Sequence, residues 1–169
     1  MESTTITGTG LRSSRIGLGT WAIGGSSWGG TDEADAIRTI HAALERGINL
    51  IDTAPVYGFG RAEEIVGRAL ALSPQRDQVI IATKSGPGVE RARTDFPQLF
   101  SAAHSDGIDD SLRRLRTEVI DLYQVHWPDP KISIEETAQT LAELQRAGKI
   151  RARPDRSNNS GNYYLGLLL

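Results

Sequence analysis

The stretch NLIDTAPVYGFG, residues 49–60, places an aspartate directly after an apolar run and a tyrosine five residues later. The segment INLID is typical of a short buried strand, so Asp52 would end that strand and Tyr57 would lie in the loop that follows. In proteins built from parallel strands and helices, active sites gather at the carboxyl ends of the strands. Asp52 and Tyr57 are therefore candidate active-site residues.

Strand-like and helix-like segments alternate on both sides of this stretch. RIGLGT, INLID, VIIATK and VIDLYQVH are typical of strands, and helical patterns separate them. Thr31 is the predicted cap of the first helix and Gly47 its stop, and Ser133 with Glu136 forms a capping box that opens the last helix. The strand runs are mostly continuous rather than alternating, as in parallel strands covered on both faces. The pattern predicts an α/β fold, preceded by a small hairpin.

The composition of the 169-residue chain excludes several kinds of site. It contains no cysteine, so disulfides, thiolate zinc sites, iron–sulfur clusters and cysteine nucleophiles are excluded. The formal net charge is -2 and the basic residues are scattered, which disfavours nucleic acid or an anionic membrane as a partner. No apolar run approaches the ~20 residues that span a bilayer, and the N-terminus lacks a leader pattern. We expect one soluble, cytoplasmic domain.

Two further titratable residues end predicted strands, Lys84 in VIIATK and His126 in VIDLYQVH. With Asp52 and Tyr57 they would lie at one edge of the sheet. A tyrosine has a pKa of about 10 and is a weak proton donor at neutral pH unless its phenolate is stabilised. An ammonium ~4 Å away, at an effective dielectric constant of about 20, stabilises that phenolate by about 4 kcal/mol, or up to about three pKa units.

These four residues together could protonate a reduced carbonyl group. Lys84 would lower the pKa of Tyr57, and an ionised Asp52 would keep Lys84 protonated. His126 would orient the substrate oxygen or share the proton. Such a set protonates a developing alkoxide, and the hydride must come from a cofactor because no side chain can supply it. A reduced nicotinamide is therefore implied.

Several separate motifs resemble the aldo-keto reductase family in their order and spacing. They are GLGTWAIGG at residues 17–25, IDTAPVYGFGRAEEIVGRAL at 51–70, IATK at 81–84 and SLRRLRTEVIDLYQVHWPDP at 111–130. EETAQTLAELQRAGKIRA, residues 135–152, resembles the family's fourth helix and the approach to its fifth strand. The similarity runs from Arg15 to Ala152, so it covers most of the chain.

The resemblance implies a parallel (β/α)8 barrel of the TIM type that reduces aldehydes or ketones with NADPH. Carried over residue by residue, it makes Tyr57 the general acid and Lys84 the group that tunes its pKa. It makes Asp52 the partner of Lys84, and His126 the group that polarises the carbonyl. These are the same four residues that the strand ends single out.

The resemblance also implies where the cofactor and the substrate would bind. It places Gly19, Thr20, Trp21 and Asp52 at the nicotinamide, and it makes Trp21 and Trp127 candidates for the wall of the substrate pocket. For both tryptophans, ordinary packing in the core or at the rim is the competing interpretation. No metal is expected in such a site.

The C-terminal part of the chain departs from the family pattern. A complete barrel has eight strands in typically ~250 residues, whereas this sequence shows four strands and then RPDRSNNSGNYYLGLLL. We expect residues 1–152 to form the N-terminal half of a barrel, truncated to about the first four βα units. Residues 153–169 would form an irregular tail, for which a frameshift is the hypothesis. Such a half barrel would have unpaired edges, self-associate, and have weak activity or none.

Three other interpretations are open at this point. Gly17, Gly19 and Ala22 match G-x-G-x-x-A, and Asp52 could bind a ribose, as in a Rossmann-type nucleotide-binding domain. The glycine-rich TWAIGGSSWGG disfavours the helix that a Rossmann turn requires. A redox-sensing or regulatory subunit of the same fold and a catalytically inactive fragment are the other two. A serine hydrolase is disfavoured because the chain has no G-x-S-x-G motif.

Overall fold

The computed structural model describes residues 1–25, 29–85, 107–126 and 132–153, and the structural statements below concern these residues. Helices alternate with strands along most of this length. The strands are β1 Ser3–Thr5, β2 Arg12–Ser14, β3 Gly17–Gly19, β4 Leu50–Asp52, β5 Ile80–Ser85, β6 Ile120–Val125 and β7 Ile150–Ala152. The α-helices are α1 Glu33–Glu45, α2 Arg61–Ala71, α3 Ile108–Leu115 and α4 Ile134–Arg146. The predicted N-terminal hairpin is confirmed, because β1 and β2 pair antiparallel.

The main sheet contains five parallel strands in the order β3-β4-β5-β6-β7. Strands that are consecutive in the sequence are therefore neighbours in the sheet, as in a barrel of βα units. In a doubly wound fold the first strand lies inside the sheet and its helix begins at the glycine turn. Here β3 is at the edge of the described sheet, and the first α-helix begins at Glu33. The Rossmann interpretation is therefore wrong.

A short fifth parallel strand, β7, extends the four that the sequence patterns predict. Ile150 and Ala152 are buried, and Arg151 between them is exposed. The Arg151 guanidinium lies 3.1 Å from a carboxylate oxygen of Asp121 on β6. The order buried, exposed, buried is that of a strand, because alternate residues of a strand point to opposite faces. A segment of three residues is too short for this pattern to be recognised in the sequence. Of the predicted irregular tail, only Arg153 belongs to the described residues.

The helix caps partly follow the sequence prediction. The Ser133 hydroxyl accepts a hydrogen bond from the Glu136 backbone N–H at 3.1 Å, so the predicted cap of α4 is confirmed. The predicted Thr31 cap of α1 is wrong: Asp32 is the N-cap and accepts from the Asp35 backbone N–H at 2.9 Å. Thr31 instead donates its hydroxyl proton to a backbone carbonyl at 3.3 Å in the preceding loop. Within the described part of the chain, no helix is both long and apolar enough to cross a membrane.

The sheet buries apolar side chains on both of its faces. On the helix side, strand residues such as Ile51, Ile81 and Tyr123 pack with residues of all four helices. On the other side the alternate strand residues form a second cluster with Ile6 of the hairpin; its strand members are Leu50, Ile80, Ala82, Leu122 and Ala152. Because both faces are covered, polar strand residues are confined largely to the strand ends. The predicted functional side chains lie at those ends.

Candidate active site

The structure brings the four predicted residues together at the carboxyl end of the sheet. Asp52 is the last residue of β4, Tyr57 lies in the loop after it, Lys84 is next to last in β5, and His126 directly follows β6. The Lys84 ammonium donates hydrogen bonds to a carboxylate oxygen of Asp52 at 2.7 Å and to the Tyr57 hydroxyl at 3.4 Å. The rings of Tyr57 and His126 meet edge to face, with centroids 5.9 Å apart. The four side chains thus form one contiguous cluster.

The register of the parallel strands explains why Lys84 and Asp52 meet. Asp52 lies opposite Ala82 of β5, so Lys84 is two residues further along and on the same face of the sheet. The main chain at the end of β4 is held from both sides. Thr20 donates its backbone N–H and its hydroxyl to the Asp52 carbonyl, each at 3.0 Å, and Thr53 donates its backbone N–H to the Ala82 carbonyl at 2.9 Å. Asp52 therefore has a fixed backbone beneath its side chain.

A close contact between two loops positions Tyr57. Gly24, in the loop after β3, lies directly against Gly58, which follows Tyr57. A Cβ atom on Gly58 would overlap the Gly24 carbonyl oxygen, and Gly58 has a positive φ of 61°, which favours glycine. Glycine is thus required at residue 58 both by space and by conformation. The contact determines where the chain turns immediately after the phenol.

Aromatic side chains surround the Tyr57 ring. The ring centroid of Trp21 lies 6.5 Å from that of Tyr57, with an angle of 36° between the planes. Trp21 is 56% exposed, so its ring could contact a ligand next to the phenol. Trp21 therefore lies beside the phenol, and its role as a pocket wall stays a prediction. Trp127, the other candidate, lies outside the described residues.

The electrostatics of the site differ from the sequence expectation in one respect. Burial, and secondarily the negative charge of Asp52, raise the pKa of Tyr57 to about 12. This net shift is opposite to the lowering that the sequence predicts from Lys84, whose ammonium is paired with Asp52 at 2.7 Å. Burial lowers the pKa of Lys84, and the Asp52 carboxylate opposes that effect. Tyr57 therefore holds its proton firmly at neutral pH.

His126 is a neutral imidazole in this environment. Burial, and secondarily the positive charge of Lys84, lower its pKa to about 3. A neutral imidazole can donate one N–H to a substrate oxygen, but it is not a source of protons at neutral pH. Of the two roles that the sequence left open, orienting the substrate oxygen fits the structure better than sharing the proton.

We expect His126 to stay neutral when the folded chain is titrated from neutral pH into the weakly acidic range. In the unfolded chain the imidazole takes up its proton below its usual pKa of about 6.5, whereas in the folded chain its pKa is about 3. The unfolded state thus binds more protons in this window, so the free energy of unfolding should fall as pH drops through it. NMR titration of the imidazole, with the His126 signal assigned by its loss in His126→Gln, checks that the side chain stays neutral. The free energy of unfolding of His126→Gln should depend less on pH than that of the parent chain. A His126 signal that titrates near the usual histidine pKa contradicts the prediction that the buried imidazole stays neutral.

Comparison with known proteins identifies the family. The sequence model of the aldo/keto reductase family matches residues 15–153. The chain belongs to this family. A curated aldo-keto reductase of Bacillus subtilis, YhdN, is 57% identical over 152 residues, which are 90% of this chain and 46% of that protein. The NADH-specific methylglyoxal reductase of Escherichia coli is 46% identical over 153 residues, covering 82% of this chain and 47% of that protein.

Solved structures agree with this assignment. The glycerol dehydrogenase AKR11B4 of Gluconobacter oxydans matches with a TM-score of 0.71 and 46% identity, covering 89% of this chain and 47% of that one. An aldo-keto reductase of Klebsiella pneumoniae in complex with NADPH matches with a TM-score of 0.69 and 31% identity, covering 90% and 49%. These neighbours are (β/α)8 barrels, so the predicted fold class is confirmed. The chain spans about half the length of the relatives that it matches.

The predicted cofactor residues of this aldo-keto reductase chain differ in how open they are. A Cβ atom on Gly19 would have no neighbour within 4 Å, so the space at this residue is open. Thr20 is fully buried and its hydroxyl is used by the Asp52 carbonyl. Asp52 accepts from Lys84. Gly19 and Trp21 thus provide open surface, while Thr20 and Asp52 are engaged in hydrogen bonds that hold the strand ends. This arrangement fits the nicotinamide end of a cofactor.

Two contributors to the site were not found from the sequence. The Thr53 carbonyl accepts a hydrogen bond from the Lys84 ammonium at 2.9 Å, and a backbone acceptor has no signature in the residue type. Glu63 on α2 is fully buried behind the site. The sequence does contain a signal for Glu63, because this charged residue lies among the buried residues Ala62, Ile65 and Val66 of a helix. A charged side chain in such a position needs a partner.

Proposed function

We propose that the chain carries the acid–base site of an NADPH-dependent reductase that converts an aldehyde or ketone to an alcohol. The observation that carries the proposal is the Lys84 ammonium, which bridges a carboxylate oxygen of Asp52 at 2.7 Å and the Tyr57 hydroxyl at 3.4 Å. This arrangement provides a protonated phenol beside a paired cation, at the carboxyl end of a parallel sheet. The family assignment supports the same chemistry.

Tyr57 is the proposed general acid. Reduction turns the carbonyl oxygen into an alkoxide, which is a stronger base than a phenolate and takes the phenol proton. The high pKa of about 12 keeps that proton on Tyr57 until the alkoxide forms. The phenolate that remains is next to the Lys84 ammonium, whose positive charge stabilises it. A reduced nicotinamide, when bound, would supply the hydride for the carbonyl carbon.

His126 and Asp52 are proposed to support this transfer. The neutral His126 imidazole, edge-on to the Tyr57 ring, can donate an N–H to the carbonyl oxygen and polarise it. Asp52 holds the Lys84 ammonium in place, and its negative charge favours the protonated form against burial. Gly19, Thr20, Trp21 and Asp52 would hold the nicotinamide end, and Trp21 would also contact the substrate.

The same proposal includes the cofactor and the partner of the chain. The NADPH complex of the Klebsiella relative supports NADPH, while the name of the Escherichia relative shows that NADH serves in this family. The proposed partner is a small aldehyde or ketone. We also propose a cytoplasmic location, because a chain without cysteine makes no use of the disulfides that oxidising compartments allow.

The test is oxidation of NADPH, and in parallel of NADH, by the purified chain with a reactive aldehyde such as 4-nitrobenzaldehyde. Aldehyde-dependent oxidation that is faster with NADPH supports the proposal. Oxidation with NADH alone would correct the cofactor and keep the reaction. If neither cofactor is oxidised or bound, the chain is the catalytically inactive form that the sequence left open.

We propose further that the chain self-associates through its open sheet edges. In the described sheet, β3 and β7 each pair with a single neighbour, so each has a free edge of backbone donors and acceptors. We expect light scattering after size exclusion to show a dimer or larger species. Ile16→Lys, at an exposed residue just before β3, should favour the monomer. Ile134→Lys, at an equally apolar exposed residue on α4, is the matched control, and a monomeric parent chain contradicts the proposal.

A further inference from the structure

A buried polar network lies behind the active site, and the proposed mechanism does not use it. Glu63 of α2 is fully buried. One of its carboxylate oxygens accepts from the Thr83 hydroxyl at 2.7 Å, and the other accepts from the Arg114 guanidinium of α3 at 2.7 Å. The Arg114 side chain is only 9% exposed. The network thus joins two helices to strand β5.

The network reaches β5 at the residue next to Lys84. Side chains alternate along a strand, so Thr83 points to the helix layer with Ile81, and Lys84 points to the opposite face with Ala82. The hydrogen bond from Thr83 to Glu63 therefore anchors the strand from behind, one residue before the ammonium. A substitution at Glu63 would therefore act on the position of Lys84 through the peptide unit that joins Thr83 to Lys84.

Stability alone does not account for a buried ion pair at this place. Removing two charges from water is costly, and apolar residues of similar volume commonly replace such pairs without loss of stability. The charge of Glu63 has a second effect, because it helps Asp52 to raise the pKa of Lys84 against burial. The other titratable groups that face Lys84 are Tyr57 and His126. Arg114 of α3 and the buried Tyr123 of β6 face Glu63.

We propose that Glu63 is a positioning residue for Lys84: it anchors β5 through its hydrogen bond with Thr83, one residue before the ammonium, and its buried carboxylate adds negative charge behind Lys84. The inference rests on the proposed function for its importance in catalysis. Its test does not, because the protonation of a lysine can be measured without cofactor, substrate or turnover.

The experiment is competitive acetylation of the full chain over a series of pH values, read by mass spectrometry of the lysine peptides. The chain contains only three lysines, Lys84, Lys131 and Lys149, so each can be followed separately. The unprotonated amine reacts, and the midpoint of the rate against pH reports the pKa. Glu63→Gln removes the charge and keeps the shape. Glu64→Gln, the same change at the neighbouring and partly exposed glutamate, is the matched control.

We expect Glu63→Gln to move the Lys84 midpoint to lower pH, with the Lys149 midpoint unchanged. Glu64→Gln should leave Lys84 where it is. A folded Glu63→Gln chain that is less stable but has an unmoved Lys84 midpoint would show a structural role only and overturn the proposal. If Glu63→Gln does not fold, Thr83→Val removes the hydrogen bond between β5 and Glu63, and a Lys84 midpoint that is unmoved in this variant overturns the proposal.

Discussion

Replacing Tyr57 with phenylalanine is expected to lower turnover with an aldehyde by about 10²–10⁴-fold, the usual contribution of a positioned general acid. The substitution removes only the hydroxyl that Lys84 contacts at 3.4 Å. The ring can keep its contacts with Trp21 and His126, so folding and cofactor binding should be retained. The measurement is kcat for aldehyde-dependent NADPH oxidation, with cofactor binding determined by fluorescence for both chains.

Lys84→Met provides a second arm of the same experiment. If Tyr57 and Lys84 act as a unit, the double variant should lose little more turnover than the more damaging single variant. Lys149→Met is the matched control, because it removes the same ammonium group outside the strand-end cluster. The Lys149 ammonium pairs with Asp109 at 2.6 Å. Turnover of Tyr57→Phe equal to that of the parent chain would mean that another group donates the proton.

Replacing Gly67 with alanine is expected to destabilise the chain by about 1–3 kcal/mol, the usual cost of adding volume to a packed interface. Gly67 lies in α2, where alanine would normally add about 1 kcal/mol of helix stability. Here its Cβ atom would overlap the Arg114 carbonyl oxygen and lie 3.0 Å from the Leu115 Cα atom of α3. Because these are backbone atoms, the helices must move apart.

The measurement is urea unfolding followed by circular dichroism. Gly19→Ala is the matched control, because a Cβ there would have no neighbour within 4 Å, and its stability should remain close to that of the parent chain. A Gly67→Ala chain as stable as the parent, or more stable, would mean that α2 and α3 do not pack this closely.

Most of the fold could be predicted because its signals are local. Apolar runs ended by polar residues gave β4, β5 and β6 correctly, since a buried strand must be continuously apolar. The errors were also local. Asp32 caps α1 in place of Thr31, whose hydroxyl is bonded to the loop before it. The strand β7 is only three residues long, and its partner β6 rather than its own pattern makes it a strand.

The sequence by itself determined which chemical groups are available and along which edge of the sheet they lie. Asp52, Tyr57, Lys84 and His126 follow from strand ends, because parallel strands all present their carboxyl ends on one side. This much depends only on the order of residues within each segment.

The tertiary structure decided the charge state of the site and the contacts that hold it. Tyr57 has a raised pKa because its phenol is buried and lies near the negative charge of Asp52. Gly67 and Glu63 have their roles because α3 packs against them. Burial and contact between segments far apart in the chain depend on three-dimensional proximity, which no local pattern of residues contains.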